Sequence, residues 1–483
     1  MAASALIERT TAPLPAERRY DPRYDPLVAP DPGAGRAYAP TYWVASAGTP
    51  PDDDGPIRRD IDVDVAIIGS GSTGLSTALY LAQEHGVQAA VLEANQAAWG
   101  CSSRSGGQGQ NASGRLKRGQ WIARWGLDVA KKLDAEIRAG FDNFRTLTQR
   151  MPCDAYEGGH LYLAHRPTKL AYLADEARVM RDTFGYRARM LTMDEVRRDY
   201  CDEREAVGAM HEAEGIGVHP LKLSFGLMRE ARALGARIHP ASPVQGWHSA
   251  GGVHHLRTPG GTVRARRVAI CTGGYTGQQL SPLTKNRIMP VLSNSLATRV
   301  LTPAELAACG LDKRASNTFM TDTRTLRFYY RLLPDGRLQM GSRSSVTGAD
   351  AEDPAHLKLL TDAIARKFPP LAGIPIEHSW WGWVDMSHDM MPRIVQPDPA
   401  ASIWYALGYG GNGVSFSTWA GKRLAQRIVG ADRDRAVFEL PIYAAPLEYP
   451  NVMNAVRSEL FAPFRRLGQR ALYKWYWLRD EKF

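Results

Sequence analysis

The chain has 483 residues, 44% of them hydrophobic and 23% charged, with a formal net charge of +10. That length exceeds one ordinary core, and the composition excludes a disordered chain and favours two or three globular lobes. The positive excess suits nucleic acid, an acidic membrane surface or an anionic ligand. The basic residues are scattered among acids with no long Lys/Arg run, and no DNA or RNA module signature occurs, which sets nucleic acid aside.

Residues 1–59 are rich in Pro, Asp, Arg and Ala and read as an irregular arm held to the body through Tyr38, Tyr42 and Trp43. The Val63–Ile68 run is a buried parallel strand. Helical spacing follows over Leu75–Glu84, and Ala89–Leu92 forms a second strand, completing a βαβ unit. A helix is predicted over Trp121–Met151 and an alternating strand within Asp154–Arg166. Further helices are predicted over Leu170–Phe184, Thr192–Tyr200 and Pro220–Leu234, then a strand at Arg237–His239. Val244–Ala269 reads as a three-stranded meander with Gly-Gly turns, and Val268–Gly274 as a strand running into a glycine turn. Strands mix with one helix (Ala355–Phe368) from Ser293 to Ile376, and Ile403–Gly408 precedes a helix over Ser417–Val429. The tail ends in Trp475, Tyr476 and Trp477, read as a helix whose aromatics pack on the body in preference to a membrane interface.

Between the first strand and helix lies Gly69-Ser70-Gly71-Ser72-Thr73-Gly74. Gly69 permits the turn, Gly71 admits a pyrophosphate, and Gly74 lets helix and strand pack closely. The helix from Ser72 and Thr73 aims unpaired N–H groups and its positive dipole end at the phosphates. Glu93 ends the second strand, where its carboxylate accepts from ribose hydroxyls and repels a 2′-phosphate; Ala94 follows it. This whole context specifies a dinucleotide where the glycine motif alone would not. Two further features select FAD over NAD. Ser102, Ser103, Arg104, Ser105, Gly106, Gly107 and Gln108 form a loop able to run beside a flat ring. Gly410, Gly411, Asn412, Gly413 and Val414 open a helix whose N-terminus favours an electron-rich edge. Val244, Thr272 and Gly273 complete the expected cofactor contacts.

These motifs, with Val218–Leu223, Tyr329–Leu332, Trp380-Trp381-Gly382 and Gly408–Val414, resemble the D-amino acid oxidase-like flavoproteins, most closely the gamma-glutamylputrescine oxidase branch. The resemblance runs from about Pro40 to Leu478-Arg479-Asp480. It implies oxidation of a small amine to an imine by hydride transfer to flavin N5, with hydrolysis to an aldehyde or keto product. Two positions depart from the branch: Ser105 where Asn is usual, and Asn412 where His is usual. Substrate contacts are expected from Tyr330, favoured over Tyr329, from Arg331 toward a carboxylate, and from Asn412. One of Trp380, Trp381 and Trp383 is expected to wall the pocket, His219 to start a helix, and Asp389 to organise a turn. No nucleophile–His–acid arrangement supports a hydrolase.

The expected fold is α/β: a discontinuous Rossmann-like FAD domain over 60–152, 215–291 and 377–430, with a mainly antiparallel α+β substrate domain over 153–214 and 292–376. The arm (1–59) and tail (431–483) flank them. Oxygen is the expected acceptor. Alternatives are a dehydrogenase using a quinone or carrier, a D-amino or N-methyl amino acid substrate, an NAD enzyme if no flavin is bound, and a non-catalytic FAD-binding assembly protein. FAD is expected to be non-covalent, with Cys101 the one candidate attachment point. The five cysteines have no metal-ligand spacing, no apolar stretch spans a bilayer and no signal peptide is recognised, so metal is not expected and the location is expected to be cytoplasmic. Oligomeric state is left open.

Overall fold

The computed structural model describes residues 24–29, 32–431, 435–448 and 464–482. Two eight-stranded sheets and one three-stranded sheet carry the architecture. In the first sheet the strand Ile61–Ile68 lies between Ala89–Leu92 and Gly261–Ile270, parallel to both. Arg237–His239 adds in parallel beyond Ala89–Leu92, and Ile403–Leu407 beyond Gly261–Ile270. Val65 to Ile68 are all buried, as an apolar run must be when helices and loops cover both faces of a parallel sheet. The meander is present as Gly246–Ala250, Val253–Thr258 and the start of Gly261–Ile270.

Three helices cover this sheet near its ligand-facing end: Ser72–His85, Pro220–Ala233 and Gly413–Ile428. The first and last approach so closely that a Cβ on Gly421 would lie 2.7 Å from the Thr73 carbonyl oxygen. Tyr409, just before the last helix, meets the Thr73 hydroxyl at 2.8 Å, so the two helix starts lie close together and a ligand there can meet two helix dipoles.

The second sheet runs in the order Ile376–Met386, Met289–Val300, Arg337–Ser342, Tyr329–Leu332, Phe319–Asp322, His160–Leu163, Ala209–Glu212, Ala188–Leu191. All neighbours are antiparallel except Phe319–Asp322 against His160–Leu163. Helix Pro354–Lys367 packs on one face over a core containing Leu296, Met320, Leu338, Leu360 and Ile364.

Several expectations need correction. The joins expected at 291/292 and 376/377 fall within or at the start of Met289–Val300 and Ile376–Met386, which pair antiparallel from Met289↔Met386 to Thr298↔Ile376. That long ladder places both whole strands in the second sheet. The arm is not wholly irregular: Thr41 Oγ1 accepts from Val44 N–H at 3.1 Å and caps a short helix, Tyr42–Ser46. Its Trp43 is buried and donates Nε1–H to the Ser105 carbonyl at 2.8 Å, while Tyr38 donates to Ala97 O at 2.6 Å. The part of the arm before Tyr24 lies outside the described residues. The tail helix Phe464–Glu481 exists, but Trp475 and Trp477 are about half exposed rather than packed on the body. No helix among the described residues is long and apolar enough to cross a membrane.

Candidate active site

The strand Ile61–Ile68 delivers the chain to Gly69, whose φ of +102° and 2.7 Å Cβ-to-Cys271 O approach leave room only for glycine. The following helix, Ser72–His85, has Gly71 at its N-cap and no side-chain cap within the chain's own cap residue. Its first amide, Ser72 N–H, donates to Ser102 Oγ at 3.0 Å, which fixes the Ser102 loop beside the helix N-terminus. Glu93 is held by three donors: Ser70 N–H at 3.0 Å and Ser70 O–H at 2.7 Å on Oε2, and Asn95 N–H at 2.9 Å on Oε1. Burial pushes its carboxyl up, and these donors oppose the shift. At the far side, Asn412 is the N-cap of Gly413–Ile428 and likewise makes no side-chain cap bond; its Nδ2 donates instead to Gly114 O at 2.5 Å. Tyr409 and Thr73 hydroxyls, 2.8 Å apart, tie the two helix starts together.

These elements enclose one cavity of about 460 Å³. Gly69, Gly71, Ser72, Thr73, Glu93, Ala94, Ser102, Arg104, Ser105, Gly106 and Gln108 line it, together with Val244, Thr272, Gly273, Gly411, Asn412, Gly413 and Val414. Four of the expected contacts stand behind the wall. Gly74 is packed where a Cβ would meet Gly69 O at 1.9 Å, and Ser103 is buried with Oγ donating to Trp99 O at 2.8 Å. Gly107 is wedged against Val218 O, and Gly410 donates its N–H to Asp385 O at 2.8 Å. The Arg104 guanidinium lies 4.3 Å from the Trp99 ring centroid and forms part of the wall.

The substrate side corrects two assignments. Tyr330 is fully buried in the second sheet's core, edge-to-face with Phe368 at 6.0 Å. Its neighbour Tyr329 points the opposite way, as strand pleating requires, and lines the cavity. Tyr329 O–H is held between Ser293 Oγ (2.9 Å) and Ser295 Oγ (2.7 Å), and its ring crosses Gly341, where any side chain would collide. Arg331 is 1% exposed and does not line the cavity. It donates to Val218 O at 2.7 Å, Gln339 Oε1 at 3.2 Å and the Tyr156 hydroxyl Oη at 3.2 Å, so it fastens the Gly107 turn to the second sheet.

Of the tryptophans, Trp383 lines the cavity, while Trp380 and Trp381 pack in the interior. His219 Nδ1 accepts from Lys222 N–H at 3.1 Å and caps Pro220–Ala233; burial pushes its imidazole down to about 3. Asp389 is tied to Arg393 and receives Met391 N–H at 3.3 Å, organising its turn. Four wall residues had no distinguishing local pattern in the sequence: Asp385, Arg115, Arg327 and Arg343. Asp385 accepts Gly408 N–H at 2.7 Å, and burial lifts its carboxyl to about 6. Cys101 also lines the cavity, where burial raises its thiol to about 12 and Sγ–H donates to Trp383 O at 2.5 Å.

The cavity fits a flavin dinucleotide: two helix N-termini without a capping bond from their own N-cap residues open into it, glycines clear the backbone near one, and a carboxylate stands at the ribose position. A family model described as FAD dependent oxidoreductase matches residues 64–427. The chain belongs to that family. It is 31% identical to gamma-glutamylputrescine oxidoreductase of Escherichia coli (strain K12), covering 84% of this chain and 93% of that one. It is 26% identical to sarcosine oxidase subunit beta of Arthrobacter sp, covering 76% and 86%. A solved structure of glycine oxidase from Geobacillus kaustophilus superposes with a TM-score of 0.62 at 21% identity, covering 76% of this chain and 95% of that one, and shows the same fold. The chain is an FAD-dependent oxidoreductase with a mixed α/β fold of this family.

Proposed function

We propose that the protein oxidises a small primary or secondary amine, or an amino acid, to an imine that water hydrolyses to a carbonyl product, with oxygen as the electron acceptor. The observation that carries this reading is the placement of both helix N-termini and the Tyr329–Trp383 wall around one cavity, which among the described residues holds no Ser–His or Cys–His pair. Relatives named for gamma-glutamylputrescine, sarcosine and glycine support a C–N bond as the point of attack.

FAD, when bound, supplies the hydride acceptor. Gly69–Thr73 and Glu93 would hold its dinucleotide half, and Ser105, Gly106 and the Gly411–Gly413 helix start its ring. The chain's own task is to bind the amine, exclude water and keep its nitrogen unprotonated. Arg115, Arg327 and Arg343 place positive charge in the same cavity, which disfavours an ammonium ion and lowers the amine pKa. Tyr329, clamped by two serines, gives that chamber a rigid wall. Non-covalent attachment is supported by Cys101, a protonated thiol already donating to Trp383 O.

Aerobic turnover of the purified holoprotein on an amine panel, with peroxide and carbonyl product quantified together, tests this. Equimolar peroxide and carbonyl product are expected. Carbonyl product appearing only with a quinone or dye would replace oxygen by a carrier. No carbonyl product from polyamines, their glutamyl conjugates, N-methyl amino acids or amino acids would reject the amine reading.

A further inference from the structure

Three arginines line the cavity, Arg115, Arg327 and Arg343, and two of them stand against Gly410–Gly411. Arg343 donates Nη2–H to Gly410 O at 3.2 Å, and a Cβ on Gly410 would lie 3.1 Å from Arg115 Cγ. Arg327 comes from the turn before Tyr329, and its Nε is buried with no hydrogen-bond partner. Among the described residues neither the Arg115 nor the Arg327 guanidinium makes an ion pair or a hydrogen bond; Arg115 is held only by its backbone N–H, which donates to Met390 O at 2.8 Å.

The charges that act most strongly on Arg115 are of its own sign. The strongest influences on the Arg115 guanidinium are repulsion by Arg343, then burial, then repulsion by Arg327, which together press its pKa well down. The charge effects of Tyr473 and Tyr476 of the tail helix oppose this in part. Arg115 and Arg327 also line a small side chamber of about 20 Å³ together with Lys117, Arg118 and Glu212. Arg118 is already neutralised there by Asp134 at 2.6 Å. Among the described residues Glu212 is the only carboxylate on that chamber's wall, and burial raises it to about 7, so it offers at most partial compensation. Guanidiniums do not lose their protons in this pH range. Two open guanidiniums with a third beside them in one cavity are unfavourable until anions enter it.

A carboxylate saturates one guanidinium through a two-pronged pair of charge-assisted hydrogen bonds. Arg343 already spends one donor on Gly410 O, whereas Arg115 and Arg327 are both open. Resting on the amine-oxidising reading above, we propose that the substrate is an amine bearing two acidic groups, one received by Arg115 and the other by Arg327, with Arg343 shared between them. The same cluster rejects substrates with a second free ammonium group, because that charge would be held against three arginines. Polyamines are therefore excluded, and N-substituted acidic amino acids are the class that fits.

The test separates recognition from chemistry. The FAD-loaded protein is titrated with dicarboxylates from malonate to adipate and with monocarboxylates from acetate to butyrate, following the visible spectrum of the bound flavin. The best dicarboxylate is expected to bind at least about tenfold tighter than the best monocarboxylate. R115Q and R327Q are each expected to weaken the dicarboxylate by about tenfold or more, with a smaller change for the monocarboxylate. R115K and R327K, which keep the charge, replace the Gln variants if those lose flavin. Equal binding of the two ligand classes, or dicarboxylate binding unmoved by these substitutions, overturns the proposal. Anaerobic mixing with N-methyl-aspartate, sarcosine and putrescine then reports on chemistry. Flavin reduction is expected to be fastest with N-methyl-aspartate. Sarcosine or putrescine reducing it as fast overturns the two-acid proposal while the amine reading stands. Selective dicarboxylate binding with no reduction by any amine rejects the amine reading and leaves the recognition of two acids in place.

Discussion

Gly421 sits where Gly413–Ile428 crosses Ser72–His85, the two helices whose N-termini define the cofactor cavity. A Cβ built there lies 2.6 Å from Ser76 Cβ, 2.7 Å from Thr73 O and 2.8 Å from Thr77 N. Two of these atoms belong to helix backbone, so no rotamer change relieves the contact and the helices must separate by several tenths of an ångström. Two opposing effects act in G421A. Helix propensity favours Ala over Gly by about 1 kcal/mol in a helix interior. Overpacking a close-packed interior costs about 1–3 kcal/mol, and backbone atoms on the far side place this site toward the upper end. The net expectation is a loss of about 1–2 kcal/mol and, because both dipole ends shift, weaker flavin retention. Gly468 in the tail helix is the control, since a Cβ there meets nothing within 4 Å; G468A is expected to be neutral or stabilising by up to about 1 kcal/mol. Urea melts of the apoprotein and flavin content after gel filtration measure both parts. If G421A matches wild type in melting and in flavin retention, the close crossing does not set the cavity and the reasoning fails.

Glu212 gives a pH signature. Its carboxyl rises from 4.5 when unfolded to about 7 when folded, chiefly through burial, so its contribution to stability is fully present below 4.5 and lost as pH climbs through 7, by roughly 3 kcal/mol. E212Q is therefore expected to gain stability relative to wild type at pH 8 and little at pH 4; the same difference at both pH values would contradict this origin. R331K removes a guanidinium that donates to Val218 O and Gln339, and urea melts should show a loss of roughly 3 kcal/mol while KM for the amine changes little. A rise in KM without loss of stability would return Arg331 to the substrate site. Acid precipitation of the holoprotein is expected to release all its yellow colour to the supernatant, and C101S to behave identically; colour retained in the pellet would show a covalent bond.

Much of the fold was legible because its signals are local. The Val65–Ile68 strand, the Gly69–Gly74 loop and Glu93 form one contiguous pattern whose parts need each other. The Gly246–Ala269 meander carried its own Gly-Gly turns. The substrate side was not legible in this way. Tyr329 and Tyr330 are adjacent, and only the pairing of Tyr329 with Gly341 across the hairpin decides which faces the cavity. Arg331 looked like a carboxylate ligand because its chemistry is right, yet it is taken up by Gln339 across its own hairpin and by Val218 and Tyr156 from distant parts of the chain. Arg115, Arg327 and Arg343 converge only through tertiary structure, and each alone is one of 60 scattered basic residues. Residues 377–430 were placed together in the FAD domain, and no local pattern marked Ile376–Met386 as a strand of the second sheet. Only its long antiparallel ladder with Met289–Val300 places it there.

Anaerobic mixing of the purified yellow protein with a panel of amines tests the central claim most directly. Bleaching of the flavin absorbance by at least one amine, at a rate matching turnover and reversed by admitting air, is the predicted result. A flavin that stays oxidised across polyamines, glutamyl conjugates, N-methyl amino acids and amino acids, while dithionite still bleaches it, would contradict the assignment of this chain as an amine-oxidising enzyme.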